Sequence, residues 1–503
     1  MSTFLSLRNK TFLFVLVALL IVAGAHAEKL RLPKIFSNDM VLQRDRAITI
    51  WGWADGNEKI SVAFHGQEVN AIADKDGKWH TTLSPMHFGG PFEMKIQGKS
   101  ELIVLKNILI GDVWICSGQS NMEFPVSGWG KVKNYNSEIA QANYPKIRLF
   151  TVEKNINTLP QEDVKGGAWQ ECSPLTISPF SAVGYFFGRD LYNALQIPIG
   201  LINSTWGGTE VESWISRPGL DTSAEFKASV AALPIPDMDS LRKKRNGKLS
   251  PNGYPSLLYN AMINPLIQFK IKGAIWYQGE SNVARGYQYK EAFPLLIKDW
   301  RDDWQEKNFP FYYVQISSFH ALDGNSNKGS TWAELRESQT KTLSLLPDVG
   351  MAVTTDIGDP LDIHPTNKQE VGRRLAALAL KHTYGKNVVA SGPVYQSIKI
   401  TGDHAVISFS VTNGGLLVKG DTLHGYEIAG ADKIFYPAEA KVKENKVIVF
   451  SNKVATPVSV RYGWADDASQ TNLFNKEGFP AVPFRTDLWP DITKDVKYTP
   501  TQF

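Results

Sequence analysis

Val113-Trp114-Ile115-Cys116-Ser117-Gly118-Gln119-Ser120-Asn121-Met122 is an apolar run that halts on a glycine and passes straight into a serine. Val113–Cys116 reads as a strand, short, continuous and bounded by turn residues. It does not alternate with polar residues, so both of its faces are expected to be covered, as in a parallel sheet. A serine on a tight glycine-containing turn at a strand end can be approached from one side. Its own backbone N–H can also point at a developing oxyanion. The stretch is not the G-x-S-x-G elbow of α/β-hydrolases, because Met122 stands at the second glycine position. Alone, a Gly-x-Ser turn has a purely structural reading as well.

Working outward, the same rhythm repeats. Strand-like segments are expected at Ile147–Thr151, Ile199–Ile202, Ala274–Trp276, Phe311–Gln315 and Met351–Thr354. Helical patterns fall between and after them at Ser181–Leu195, Leu257–Gln268, Tyr287–Trp304, Trp332–Leu345 and Lys368–His382. Apolar strands alternating with amphipathic helices mark an α/β fold with a parallel sheet, whose ligands bind beyond the carboxyl ends of the strands. Both flanks read differently. Ala47–Trp53, Ile60–Phe64, Lys78–Leu83 and Phe92–Gln97 are β-rich and separated by Gly, Asp and Asn, fitting a small β-sandwich. Ser397–Thr401, Ala405–Ser410, Ala438–Val442, Lys446–Phe450 and Val458–Tyr462 predict a second β-rich region. The expected division is 1–27, 28–106, 107–387 and 388–503. Arg217–Pro255, with a basic cluster at Arg242–Arg245, reads either as a lid over the site or as a solvated excursion.

Composition narrows the function classes. The chain has 503 residues and a net charge of +4, too balanced for a typical nucleic-acid binder. Arg8, Lys10, the apolar run from Thr11 to Gly24 and Ala25-His26-Ala27 form a secretory signal pattern, with a core too short for a span of about 20 residues. The chain is therefore expected to be exported, periplasmic or extracellular, and free of the membrane after cleavage, with an uncleaved membrane anchor as the alternative reading of the same segment. Two cysteines, Cys116 and Cys172, cannot scaffold a chain this long, and buried free thiols are expected. The nine histidines show no zinc-ligand spacing, so no metal and no cofactor is expected.

Three more segments join the serine turn. Asn203-Ser204-Thr205-Trp206-Gly207-Gly208-Thr209 follows one strand, and its glycines let a backbone N–H come close to a ligand. Trp276-Tyr277-Gln278-Gly279-Glu280-Ser281-Asn282 brings amides and a carboxylate to another strand end. Asp356-Ile357-Gly358-Asp359-Pro360-Leu361-Asp362-Ile363-His364-Pro365 follows a third and leads into a helix through a Thr366-x-x-Gln369 capping pattern. A histidine fixed just before a helix suits a general base near neutral pH. Trp129, Trp206, Trp214 and Tyr277 lie near these motifs and are candidates for stacking on sugar rings or for core packing.

The ordered set Gly-Gln-Ser-Asn-Met, Trp-Gly-Gly-Thr, Trp-Tyr-Gln-Gly-Glu-Ser-Asn and Asp-Ile-His-Pro resembles the sialate O-acetylesterase family, a branch of the SGNH hydrolases. The resemblance runs through nearly the whole chain after the signal. It implies a flavodoxin-like three-layer core with flanking β-rich regions, and ester hydrolysis by a serine and a histidine without a cofactor. Carried over, Ser120 is the nucleophile and His364 the base. The acid three residues before the histidine is absent, since Leu361 stands there, so Asp362 is expected, with Asp359 second and a Ser–His dyad as a further alternative. Oxyanion donors implied are the N–H groups of Ser120 and of Gly207 or Gly208, with the side chain of Gln278 or Asn282. Gln119, Asn121, Trp206 and Glu280 are expected to meet the substrate, although Glu280 can also orient its neighbours or be purely structural. The implied substrate is an O-acetylated sugar, foremost 9-O-acetyl sialic acid. Acetylated plant polysaccharide such as xylan is the rival, and a non-catalytic glycan-binding protein is the rival of another class. No long apolar lid suggests a lipase or thioesterase.

Overall fold

The computed structural model describes residues 30–231, 233, 237–239 and 254–499. The export pattern and the basic cluster at 242–245 lie outside the described residues.

The backbone of the molecule is one long strand, Leu102–Gly118, buried continuously from Ile108 onward. It lies in a mixed sheet ordered Val349–Ala352, Phe311–Val314, Gly273–Tyr277, Leu102–Gly118, Ile199–Thr205, Tyr144–Thr151 and Trp169–Cys172. Neighbours in that order are parallel except the last pair. Burial on both faces explains why these strands read as apolar runs. Val113, Ile115, Ala274 and Trp276 enter one hydrophobic core, while Trp114, Cys116, Ile275 and Tyr277 enter a second. Helices Tyr289–Asp303 and Thr331–Leu345 contribute Phe293, Trp300 and Leu335 to the first. Helices Ala182–Leu195 and Lys368–His382 contribute Phe186, Phe187, Leu375 and Leu378 to the second. Cys116 and Cys172 are free and buried, and burial pushes the Cys172 thiol up to about 12.

The boundary expected at 106/107 falls inside the long strand. Its first half pairs antiparallel with Gly89–Gln97 and, at Leu109–Gly111, parallel with Val41–Gln43. The N-terminal β region is therefore hydrogen-bonded into the same sheet as the core. Leu257–Gln268 does not form a regular helix: Tyr259–Ile263 is a π turn and Asn264–Leu266 a 3-10 turn. Pro265 lacks the N–H that a regular helix would need there. The helix after His364 is capped by Asn367, whose side chain accepts from the Glu370 N–H, in place of the Thr366/Gln369 pair.

Beyond residue 393 the chain is antiparallel β, with a four-stranded sheet ordered Val394–Thr401, His404–Ser410, Lys446–Phe450 and Glu439–Lys443. This region has its own core around Ile407, Ile428, Val447 and Val460. It is tied to the central fold by the buried Arg336, which donates to the Ala465 and Asp466 carbonyls at 2.6 and 2.7 Å.

Candidate active site

Parallel pairing aligns Gly118 with Thr205 on one side and with Tyr277 on the other, so three motif-bearing loops leave the sheet at one edge. Gly118 has φ +135°, and a Cβ there would lie 2.2 Å from the Tyr277 carbonyl oxygen. Only glycine allows this crossing. The Gln119 N–H donates to that same carbonyl at 3.0 Å, and the chain then enters the short turn Ser120–Glu123.

Ser120 Oγ and His364 Nε2 are 2.8 Å apart. The residues are separated by 244 positions, and the loop after Val349–Ala352 brings them together. That loop is braced by Arg374, which holds Asp356 with two bonds of 2.7 Å. Burial lowers the His364 pKa first, and Lys368 adds to this, while Asp362 and Glu123 oppose it. The neutral imidazole needed to accept a proton is thereby favoured near neutral pH.

Asp362 is the carboxylate beside this histidine. Its Oδ1 accepts the His364 backbone N–H at 2.8 Å but stands 3.7 Å from Nδ1, outside hydrogen-bond reach. Its side chain is 58% exposed. Asp359 accepts the Leu361 N–H at 2.9 Å, within its own turn.

Gly207 packs on the serine, since a Cβ there would lie 3.1 Å from Ser120 Cβ. Its N–H donates to Glu123 Oε2 at 2.7 Å, and Lys154 holds the other oxygen of that carboxylate at 2.6 Å. An anion thus already occupies this N–H, beside the nucleophile position. Gly208 is exposed, with φ +71°.

The side-chain amides expected as oxyanion donors are committed elsewhere. Gln278 is fully buried and donates to the Thr209 carbonyl at 3.2 Å and to Asn282 Oδ1 at 2.6 Å. Asn282 accepts the Val211 N–H at 3.0 Å and donates to Glu212 at 3.1 Å. These amides join two loops to each other, and Arg285 pairs with Glu210 and Glu212 behind them. The expectation that Gln278 or Asn282 faces the oxyanion is therefore corrected. Burial and the nearby Glu212 push the Glu210 carboxyl up to about 7.

The expected substrate contacts need a similar correction. Asn121 is wholly buried, and its Nδ2 donates to Glu280 Oε1 at 2.6 Å and to the Ile363 carbonyl at 2.9 Å. Glu280 is buried with it. Gln119 is also buried, its Oε1 accepting from the Gly279 and Ser281 N–H groups at 3.3 Å. All three residues hold loops together, leaving substrate contact to more open groups. Trp214 and Tyr277 are core residues, whereas Trp206 is half-buried under Lys154. Trp129 is 57% exposed and meets the His364 ring edge-on at 5.4 Å.

The sequence reading missed Glu123, Lys154 and Lys368. Glu123 had a signal, three residues after the serine in one turn. Lys368 had one too, sharing a helix face with Val371, Leu375 and Leu378.

The chain matches the profile of a carbohydrate esterase family, sialic acid-specific acetylesterase, over residues 110–381. It is 30% identical over 516 residues to the sialate O-acetylesterase of Mus musculus, with 90% of this chain and 94% of that one covered. Against the Homo sapiens sialate O-acetylesterase it is 31% identical over 500 residues, covering 90% and 92%. A solved structure described as a novel carbohydrate acetylesterase from Xanthomonas citri is 39% identical, covers 92% of this chain and 100% of its own, and superposes with a TM-score of 0.83. A serine and an imidazole in contact at a loop-built edge suit ester cleavage, and the relatives agree: the chain is a carboxylic ester hydrolase that belongs to the sialic acid-specific acetylesterase family of carbohydrate esterases.

Proposed function

We propose that Ser120 and His364 remove acetyl groups from sugars by acyl transfer. His364 Nε2 takes the Ser120 proton as Oγ attacks the acetyl carbonyl carbon. The carbonyl electrons move onto oxygen, and the N–H groups of Ser120 and of Gly207 or Gly208 stabilise that charge. For Gly207 this requires the Glu123 carboxylate to yield its place. The C–O bond to the sugar breaks, and the imidazolium returns its proton to the leaving sugar oxygen. Water, deprotonated by the same imidazole, attacks the acetyl carbonyl carbon of the acyl-enzyme; the bond to Ser120 Oγ breaks, the imidazolium returns its proton to Oγ, and acetate leaves. Asp362 supports the imidazolium through space, so the working unit is a Ser–His pair with a distant carboxylate. The single observation that carries the reading is the 2.8 Å contact between Ser120 Oγ and His364 Nε2. Acetate release by purified Ser120→Ala tests it: activity should fall to background, and normal turnover would rule it out.

Sialic acid O-acetyl esters are the substrate suggested by the names of the mammalian relatives. Acetylated neutral polysaccharide such as xylan is a second reading, favoured by charge. The acids facing His364 are Glu123 and Asp362; Lys154 pairs with Glu123 and Lys368 is buried against Asn121, so Asp362, with its side chain 58% exposed, is the open charge beside the site. A sialate carboxylate would meet repulsion there, and a neutral sugar would not. Acetate release from acetylated sialic acid and acetylated xylan, measured in parallel, separates the two.

The covered parallel sheet, with Ser120 after its central strand and His364 near the start of the last helix of the unit, supports an SGNH-type, flavodoxin-like three-layer core flanked by β-rich regions. Residues 1–27 support export to the periplasm or medium, testable by N-terminal sequencing of secreted protein.

A further inference from the structure

We propose that Lys368, Asn121 and Glu280 form a buried clamp that positions the His364 imidazole against Ser120, in a site whose aspartate does not hydrogen-bond the ring. Asn121 is the residue after Ser120, and Ile363 is the residue before His364. The Asn121 Nδ2 donates to the Ile363 carbonyl at 2.9 Å, so one bond joins the two reacting segments directly. Both ends of that amide are fixed. Glu280 Oε1 accepts from Nδ2 at 2.6 Å, and Lys368 Nζ donates to Oδ1 at 2.5 Å. The order is carboxylate, amide, ammonium, and it sets the amide's orientation without ambiguity. Lys368 is fully buried in the first turn of its helix, with Nζ over the Phe124 and Tyr277 rings at 4.8 and 5.3 Å.

Stability does not account for such a trio. Opposite charges buried on either side of an amide carry the same desolvation cost as a buried ion pair, which is commonly no more stabilising than apolar side chains of the same volume. The second carboxylate oxygen, Glu280 Oε2, is buried with no hydrogen-bond partner among the described residues, which adds cost. What the trio supplies is a fixed geometry, and a misplacement of about 1 Å at a reacting pair can cost roughly 100-fold in rate.

The same lysine acts on the imidazole electrostatically. The groups facing His364 are Ser120 and Glu123 from the serine turn, Asp362 from its own loop and Lys368 from the following helix. The charges facing Lys368 are Glu280 and Asp362. Burial pushes Lys368 down to about 7, so it is cationic in the acid range where His364 titrates. A nearby cation disfavours the imidazolium and keeps the base ready at lower pH. These residues are positioning residues, since they act through Ser120 and His364.

The inference rests on the reading of Ser120 and His364 as the reacting pair, and Ser120→Ala is measured beside it. The test takes pH profiles of kcat and kcat/KM for the full-length wild type, Lys368→Met and Glu280→Gln. In Lys368→Met the acid limb of kcat/KM should move to higher pH, and kcat should fall about 10- to 100-fold while KM stays within about twofold. Glu280→Gln keeps the side-chain shape and should lower kcat with the same unchanged KM. An unmoved acid limb with kcat within about twofold of wild type in Lys368→Met would overturn the clamp. Should Lys368→Met not fold, by near-ultraviolet circular dichroism, Glu280→Gln decides alone, and wild-type kcat there overturns it. Loss of activity in Ser120→Ala with silent clamp variants sinks the clamp only. Full activity in Ser120→Ala sinks both.

Discussion

Replacing Asp362 with asparagine removes one charge and leaves a turn intact. The asparagine Oδ1 can still accept the His364 N–H that Asp362 now takes at 2.8 Å. What is lost is the attraction between a carboxylate and the imidazolium formed during attack. The separation is 3.7 Å, and the Asp362 side chain is 58% exposed. At about 4 Å in water such a pair is worth about 1 kcal/mol, and exposure keeps the effective dielectric near that limit. About 1 kcal/mol off the transition state corresponds to roughly a fivefold loss in kcat/KM. A hydrogen-bonded triad aspartate would instead cost about 10⁴-fold on the same change. The two expectations differ by three decades, so steady-state acetate release from p-nitrophenyl acetate at neutral pH is sufficient. Because Asp362 raises the His364 pKa, its removal should also move the acid limb of kcat/KM to lower pH. A loss above about 10³-fold, with an intact fold, would refute the reasoning and make Asp362 a full member of a triad.

Wild-type kcat/KM should decline only below the ordinary imidazole value of 6.5, since burial and Lys368 lower the His364 pKa and the protonated ring cannot accept the serine proton; a midpoint above that value in a pH–rate profile would contradict this. Gly118→Ala should cost more than about 100-fold in activity and lower the melting temperature, because a Cβ would sit 2.2 Å from the Tyr277 carbonyl at φ +135°; wild-type values in a paired melting and activity assay would show that the crossing relaxes. Trp129→Ala should raise KM for an acetylated oligosaccharide about fivefold, the worth of about 1 kcal/mol of ring stacking, and leave ethyl acetate hydrolysis nearly unchanged. Equal effects on both substrates would remove Trp129 from sugar binding.

The strands and the serine turn were legible because burial on two faces leaves an apolar run, and the sharp crossings need glycine. The Lys78–Leu83 and Lys446–Phe450 strands fall where alternation puts them. Continuity of Leu102–Gly118 was hidden by Lys106-Asn107, which reads as a break; Asn107 has φ +57° and the pairing with Gly89–Gln97 shifts register nearby, so the strand bends without ending. Sequence brought the four loops to one edge but could not say which way an amide points. Gln119, Asn121, Gln278 and Asn282 look alike as donors near a nucleophile, yet each is buried by contacts from other loops. Lys368 was read past because a lysine at a helix start is ordinarily solvated, and only its neighbours' spacing shows it turned inward.

The most direct measurement of the central claim is covalent labelling of the full-length protein with a serine-directed organophosphate, followed by mapping of the modified peptide. We expect the label on Ser120, with hydrolytic activity lost in proportion to labelling. Complete inactivation with the label on another residue, or Ser120 labelled with activity retained, would contradict the assignment.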